Sequence, residues 1–236
     1  MKKKVVLLPA VLLALLAAAF FAYAGAYYHA TAAATAALSG SGTVEVRRTD
    51  YGWFFDGPSG DSALIFYPGA KVEETAYAPL ALRFAEEGMD VCLVKMPFRL
   101  AFFGVGRAET ILEGLPHEKR YIGGHSLGGA MAAIYAAEHP EGLSGVLLLA
   151  AYPTKPLDGA LSVLTLYGSG DGVLNRESLE KGRAYLSATA RELVIEGGNH
   201  AQFGDYGEQK GDGEASITPE EQREQTVRAA LEYLRG

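Results

Sequence analysis

The chain has 236 residues, 49% of them apolar, and a formal net charge of −7. That is enough apolar material for one large α/β core or two small ones. Leaving out Lys2, Lys3 and Lys4, the rest carries 18 basic against 28 acidic side chains. This balance argues against nucleic acid as a partner, because phosphate contacts need clustered Lys and Arg.

The three lysines precede an uncharged run from Val5 to Tyr28, and no Asp, Glu, Lys or Arg follows until Glu45. As a helix the run would extend about 36 Å, enough for the hydrocarbon of a bilayer. Lysines before it and none just after favour a cytoplasmic N-terminus and an exported body, at the cell membrane on the extracytoplasmic side. Ala22-Tyr23-Ala24 has the small-x-small form of a signal-peptidase site, so secretion after cleavage is the competing reading. The length of the run, with Tyr23, Tyr27 and Tyr28 as an interfacial belt, favours a retained transmembrane helix. Residues 1–28 are therefore expected as a signal anchor, 29–43 (Ala/Thr/Ser/Gly-rich) as a tether, and 44–236 as the folded domain.

Val44-Glu45-Val46 and Trp53-Phe54-Phe55 predict an antiparallel pair, and Gly57-Pro58 a turn. Ala63 to Tyr67 is a continuous apolar run of the kind found in strands buried on both faces. Tyr77, Leu80, Ala81, Phe84 and Ala85 fall on one helical face, and Gly88 ends that helix. Asp90 to Lys95 is the next strand, and Cys92 within it reads as core packing. Arg120-Tyr121-Ile122, Gly145 to Ala150, Leu161 to Tyr167 and Leu193-Val194-Ile195 are further strands. Ala130 to Glu138 predicts a helix, and Thr218, Pro219 and Glu221 open a capped final one. Strands alternating with helices predict an α/β fold, one doubly wound, mostly parallel sheet.

The chemistry centres on Gly124-His125-Ser126-Leu127-Gly128. A Gly-x-Ser-x-Gly between a strand and a helix presents the serine hydroxyl at a tight turn, where a side chain at either glycine would crowd the backbone. Serine is a weak nucleophile and needs a base held by a carboxylate. In an open parallel sheet these groups lie past the carboxyl ends of strands. Of five histidines, His200 alone follows a strand end in this way, and Asp171 follows the strand ending at Tyr167. Asp158 and Asp205 lack that placement. Two backbone donors are needed for an oxyanion: the N–H of Leu127, and one from the loop Tyr67 to Lys71, with Ala70 preferred over Lys71. Phe98, Phe102 and Phe103 follow a strand end and are candidates to line an acyl pocket; ordinary packing under a loop fits them equally. Lys71 and Tyr152 are further candidates for substrate contact. No Cys/His cluster or phosphate-cradling motif calls for a metal or an organic cofactor.

Together the elbow, Asp171 and His200 in that order, and the Tyr67-Pro68-Gly69 loop resemble the α/β-hydrolase superfamily. The phrasing of Phe66 to Val72 and of Gly197 to Gly204 is similar to a bacterial membrane-tethered serine esterase branch of it. One departure is the absence of a His-Gly pair before Lys71. The resemblance implies hydrolysis of a small-molecule carboxylic ester through a serine acyl-enzyme. Only Ala151 to Ser162 stands where many relatives insert a lid, so no large lid domain is expected. A thioesterase, amidase or acyltransferase of the same fold, and a silent hydrolase-like binding module, are the alternatives; oligomeric state is not legible.

Overall fold

The computed structural model describes residues 2–235, with side chains from Pro9 onward. In chain order the helices and strands are α1 (Lys2–Gly25), α2 (Ala32–Ala36), β1 (Glu45–Thr49), β2 (Gly52–Asp56), β3 (Ser62–Tyr67), α3 (Ala78–Glu86) and β4 (Met89–Val94). There follow α4 (Arg107–Gly114), β5 (Lys119–His125), α5 (Leu127–Glu138), β6 (Gly145–Leu149), β7 (Ser162–Gly168), α6 (Arg176–Gly182), β8 (Arg191–Ile195) and α7 (Pro219–Leu234). The short helices α4 and α6, eight and seven residues long, are not among the elements expected from the sequence.

The strands form one eight-stranded sheet in the order β1-β2-β4-β3-β5-β6-β7-β8. Pairings β1–β2 and β2–β4 are antiparallel; the others are parallel. Strand β3 is buried along its whole length, which requires cover on both faces. Alternation supplies it. Leu64 and Phe66 pack on one face with Leu80, Phe84, Val227 and Ala230 from α3 and α7. Ile65 and Tyr67 pack on the other with Ala108, Ile111, Ala132, Ala133 and Ala136 from α4 and α5. Each fully buried Leu, Ile or Phe contributes about 1.5–3 kcal/mol. The chain leaves β3 towards β4 on one side and returns to β5 on the other. The crevice at the carboxyl ends of β3 and β5 is therefore the point where the winding reverses, the usual position of a site in such sheets.

The N-terminal part differs from expectation. Among the described residues no helix is long and apolar enough to cross a membrane. Lys2 to Lys4, which orient the expected anchor, and the start of the run at Val5 lie outside the described side chains. Tyr28, expected in an interfacial belt, instead donates its N–H to the Lys71 carbonyl at 2.7 Å, and its own carbonyl accepts from Glu73 at 2.9 Å. Its ring lies 5.4 Å from that of Tyr206. Nor do residues 29–43 hang free. Thr31 caps α2 and donates to the Asp205 carboxylate at 2.9 Å, while Ala34 and Val44 are buried. Short alanines fit a helix laid flat on α3, and that packing is invisible to a compositional reading.

A second pin holds the opposite end of the sheet. Asp90, near the start of β4, accepts from the Gly57 amide at 2.8 Å and pairs with His117 Nε2 at 2.7 Å. Both side chains are almost wholly buried. Removing one partner of such a pair leaves the other unmatched, at a cost of about 3–5 kcal/mol. His117→Ala is accordingly expected to lower the unfolding free energy by about 3 kcal/mol in urea titration; a loss under about 1 kcal/mol would show the pair to be incidental.

Candidate active site

Ser126 stands between β5 and α5 with φ 52° and ψ −124°, a region costly for any residue with a Cβ. The turn is over-determined by its neighbours. The Ser126 amide donates to the Leu149 carbonyl of β6 at 2.8 Å. A Cβ at Gly124 or at Gly128 would run into the Tyr67 carbonyl oxygen of β3. The absence of side chains at both positions lets α5 start directly over the end of the central strand, with the serine half-exposed at its N-terminus.

Past the end of β7, Asp171 is buried with its carboxylate fully used. One oxygen accepts from the Val173 and Leu174 amides at 2.9 and 2.8 Å, and the other meets His200 Nδ1 at 2.9 Å. Burial pushes the Asp171 carboxyl up, but the His200 bond and charge together with the two amides outweigh it, so the group rests below its ordinary value. An ionised carboxylate only accepts, so His200 donates from Nδ1, and in the neutral imidazole the lone pair is then on Nε2. The imidazole of His200 lies 4.4 Å between centroids from that of His125, the residue before the serine, the two rings tilted by 53°. Among the described residues no hydrogen bond joins the Ser126 hydroxyl to His200; such bonds often tighten only when substrate is bound.

The loop after β3 separates the two oxyanion candidates. The Lys71 N–H is consumed by the Arg99 carbonyl at 2.8 Å, and the Gly69 N–H donates to the Tyr77 hydroxyl at 3.1 Å. Among the described residues the Ala70 and Leu127 N–H groups have no protein acceptor, and both residues are partly open to solvent. The first N–H groups of a helix have no intrahelical partner, and Leu127 opens α5.

Tyr77 and His125 form a connection that sequence reasoning missed. The Tyr77 hydroxyl, which accepts from the Gly69 amide, also meets His125 Nδ1 at 2.8 Å. Burial, and then the nearby His200, hold the His125 imidazole well below its ordinary pKa, so it is neutral. Tyr77 reads in the sequence as one more apolar position of α3, and nothing local marks its hydroxyl as joined to the elbow.

The expected substrate contacts are placed differently. Phe98 and Phe103 lie against α1, with the Phe20 ring at 5.2 and 5.8 Å, and Phe102 stacks on Phe103 at 4.2 Å. All three remain 44–58% exposed, so they form an aromatic seat for the helix rather than a closed acyl pocket. Lys71, at φ 58°, holds its ammonium 4.1 Å from the Tyr23 ring centroid, which makes it a cation–π partner of α1. Tyr152 packs with Tyr167, Leu174 and Leu179 beneath α6. For Phe98, Phe103 and Lys71 the neighbour is α1, an element distant in sequence. Cys92 is buried and its thiol is pushed up to about 12, chiefly by burial, as fits inert core packing. Among the described residues no cluster of His, Cys, Asp and Glu has the make-up of a metal site.

A mostly parallel sheet with a strained serine turn and an Asp–His pair at neighbouring strand ends defines an α/β-hydrolase. The model of the alpha/beta hydrolase family matches residues 63–224, more than half of the chain, and the chain belongs to that family. Among solved structures it is similar to the monoacylglycerol lipase of Paleococcus ferrophilus (16% identity, 80% of this chain and 99% of that one, TM-score 0.60). It is also similar to a membrane phospholipase A described as a bacterial virulence factor (16%, 100% of both chains, TM-score 0.60). A third is the dienelactone hydrolase of Anabaena variabilis (14%, 82% and 100%, TM-score 0.60). At these identities the likeness is one of fold. No curated protein sequence matches the chain.

Because His125 is kept neutral in the fold, the unfolded chain binds a proton there that the folded chain does not once pH falls below about 6.5. Stability is therefore lost as pH drops, with a slope of up to about 1.4 kcal/mol per pH unit from this residue. Denaturant titrations at pH 7, 6 and 5 are expected to show a shallower decline in His125→Gln than in the parent; equal slopes would mean that His125 protonates freely in the fold.

Proposed function

We propose that this chain is a serine hydrolase that cleaves carboxylic esters of small molecules through Ser126, His200 and Asp171. The observation that carries this reading is the buried Asp171–His200 pair beside the left-handed turn at Ser126. His200 Nε2 takes the Ser126 proton as the hydroxyl oxygen attacks the ester carbonyl. The N–H groups of Leu127 and Ala70 receive the oxyanion, and Asp171 stabilises the imidazolium. The proton then passes to the departing alcohol. Water, activated by the same imidazole, releases the acid from the acyl-enzyme. The names lipase, phospholipase A and dienelactone hydrolase among proteins of like fold agree with this class of reaction.

For location we propose the extracytoplasmic side of the cell membrane, an assignment that rests on Lys2 to Lys4 ahead of the uncharged run Val5 to Tyr28. N-terminal sequencing of protein from washed membranes checks it, since a start at Gly25 would mean a cleaved signal instead.

With p-nitrophenyl esters of graded chain length, Ser126→Ala is expected to abolish both turnover and fluorophosphonate labelling. Asp171→Asn should lower kcat by roughly 10⁴-fold through the wrong His200 tautomer, with little change in KM. A folded parent protein that neither turns over esters nor labels at Ser126 would refute the reading.

A further inference from the structure

We propose that Asp212 is a positioning residue of this site, a second carboxylate that fastens the loop carrying His200 to the loop carrying Asp171; the proposal rests on the triad reading above. Asp212 lies in Gly211-Asp212-Gly213, on the solvated loop after the histidine. One of its oxygens accepts from the amides of Gly172 and His200, each at 3.1 Å, and of Gly213 at 2.9 Å. The other accepts from the Ala201 amide at 2.8 Å. Gly172 follows Asp171 directly. A single side chain thus grips the backbone on both sides of the Asp171–His200 bond.

The surroundings are built for this approach. The Gly170 amide donates to the Gly198 carbonyl at 2.8 Å, and Asn199 Nδ2 donates to the Gly213 carbonyl at 2.8 Å. A Cβ on Gly172 would come within 2.6 Å of the Gly211 carbonyl oxygen, and one on Gly213 would strike the Gly170 carbonyl oxygen. Three loops interlock here, and Asp212 is the charged group at their meeting point. Four N–H donors divided between two oxygens require a group that accepts on both sides, and an ionised carboxylate is the side chain of this size that does so. Asparagine keeps one oxygen and turns an NH₂ towards the Ala201 or the His200 and Gly172 amides, donor against donor. The carboxylate is placed to act by fixing the backbone that carries the imidazole relative to the loop that carries Asp171. Displacement of a reacting group by about 1 Å costs on the order of 10²-fold in rate.

Asp212→Asn, Asp212→Ala and, as a control for loss of charge on the same loop, the exposed Glu208→Gln are the variants to compare with the parent. Asp212→Asn is expected to lose roughly tenfold in kcat and Asp212→Ala on the order of 10²-fold. KM should stay within about twofold in both, with the acid limb of the kcat/KM–pH profile displaced and the downfield His200 Nδ1–H resonance weakened. Glu208→Gln should match the parent in all of these. A folded Asp212→Asn with parental kcat, pH profile and resonance overturns the proposal. In the unmutated protein, amide exchange is a readout independent of folding in the variants and of turnover. Protection of the Gly172, His200, Ala201 and Gly213 amides beyond that of neighbouring loop amides supports the clamp, and exchange at open-loop rates overturns it. A parent protein with these amides protected but Ser126 unlabelled would sink the triad reading and leave the clamp as a structural device.

Discussion

The geometry of the site depends on one close approach of backbone to backbone. Helix α5 begins almost in contact with the end of β3, because Gly124 and Gly128 present only hydrogen to the Tyr67 carbonyl. Any Cβ at these positions would force the helix away and open the turn at Ser126. With the helix seated, the serine is driven into a left-handed conformation and lifted out of the sheet. The loop that leaves β3 is brought alongside at the same time, since a Cβ at Gly128 would also strike the Pro68 carbonyl oxygen. Strain at Ser126 is of the order of 1–3 kcal/mol and is offset by the surrounding sheet, whose central strands are buried on both faces.

Around this contact the polar groups form two connected sets. One runs from the Gly69 amide through Tyr77 to His125 and links the loop after β3 to the elbow. The other runs from Val173 and Leu174 through Asp171 to His200, and is tied from outside by Asp212. They meet where the imidazoles of His125 and His200 lie 4.4 Å apart. His125 is neutral and buried, so it offers His200 a polarisable face without a competing positive charge. The N-terminal segment adds a strap across the same region, through Tyr28 to the Lys71–Glu73 backbone and through Thr31 to Asp205. The family match begins at residue 63, so this strap lies outside the matched segment.

Much of this was legible in the residues taken alone. Apolar runs bounded by Gly and Pro mark the central strands, since a strand covered on both faces must be apolar at every position. The pair Thr218 and Glu221 marks the last helix, where the reciprocal capping bonds are indeed formed. Such signals are local, and they survive because backbone geometry within ten residues decides them. The pattern around Ser126, and the strand ends that select Asp171 and His200, are also local once the sheet is assumed parallel.

What lay beyond reach depends on which distant surfaces meet. Phe98, Phe102, Phe103 and Lys71 have the residue types of a binding pocket, yet α1 occupies their faces. An alanine-rich stretch that reads as a loose tether packs down because α3 offers it a matching apolar surface. Tyr77 has the position of a core residue, and Asp212 that of a solvated loop acid, until folding brings the hydroxyl to His125 and the carboxylate to four amides. Amino-acid order alone determined the strands, the serine turn and the residue types able to do acid–base chemistry, because each follows from short-range sterics and hydrogen-bonding capacity. The tertiary structure decided which polar atoms are neighbours, because that is set by the closing of loops whose ends lie up to 182 residues apart.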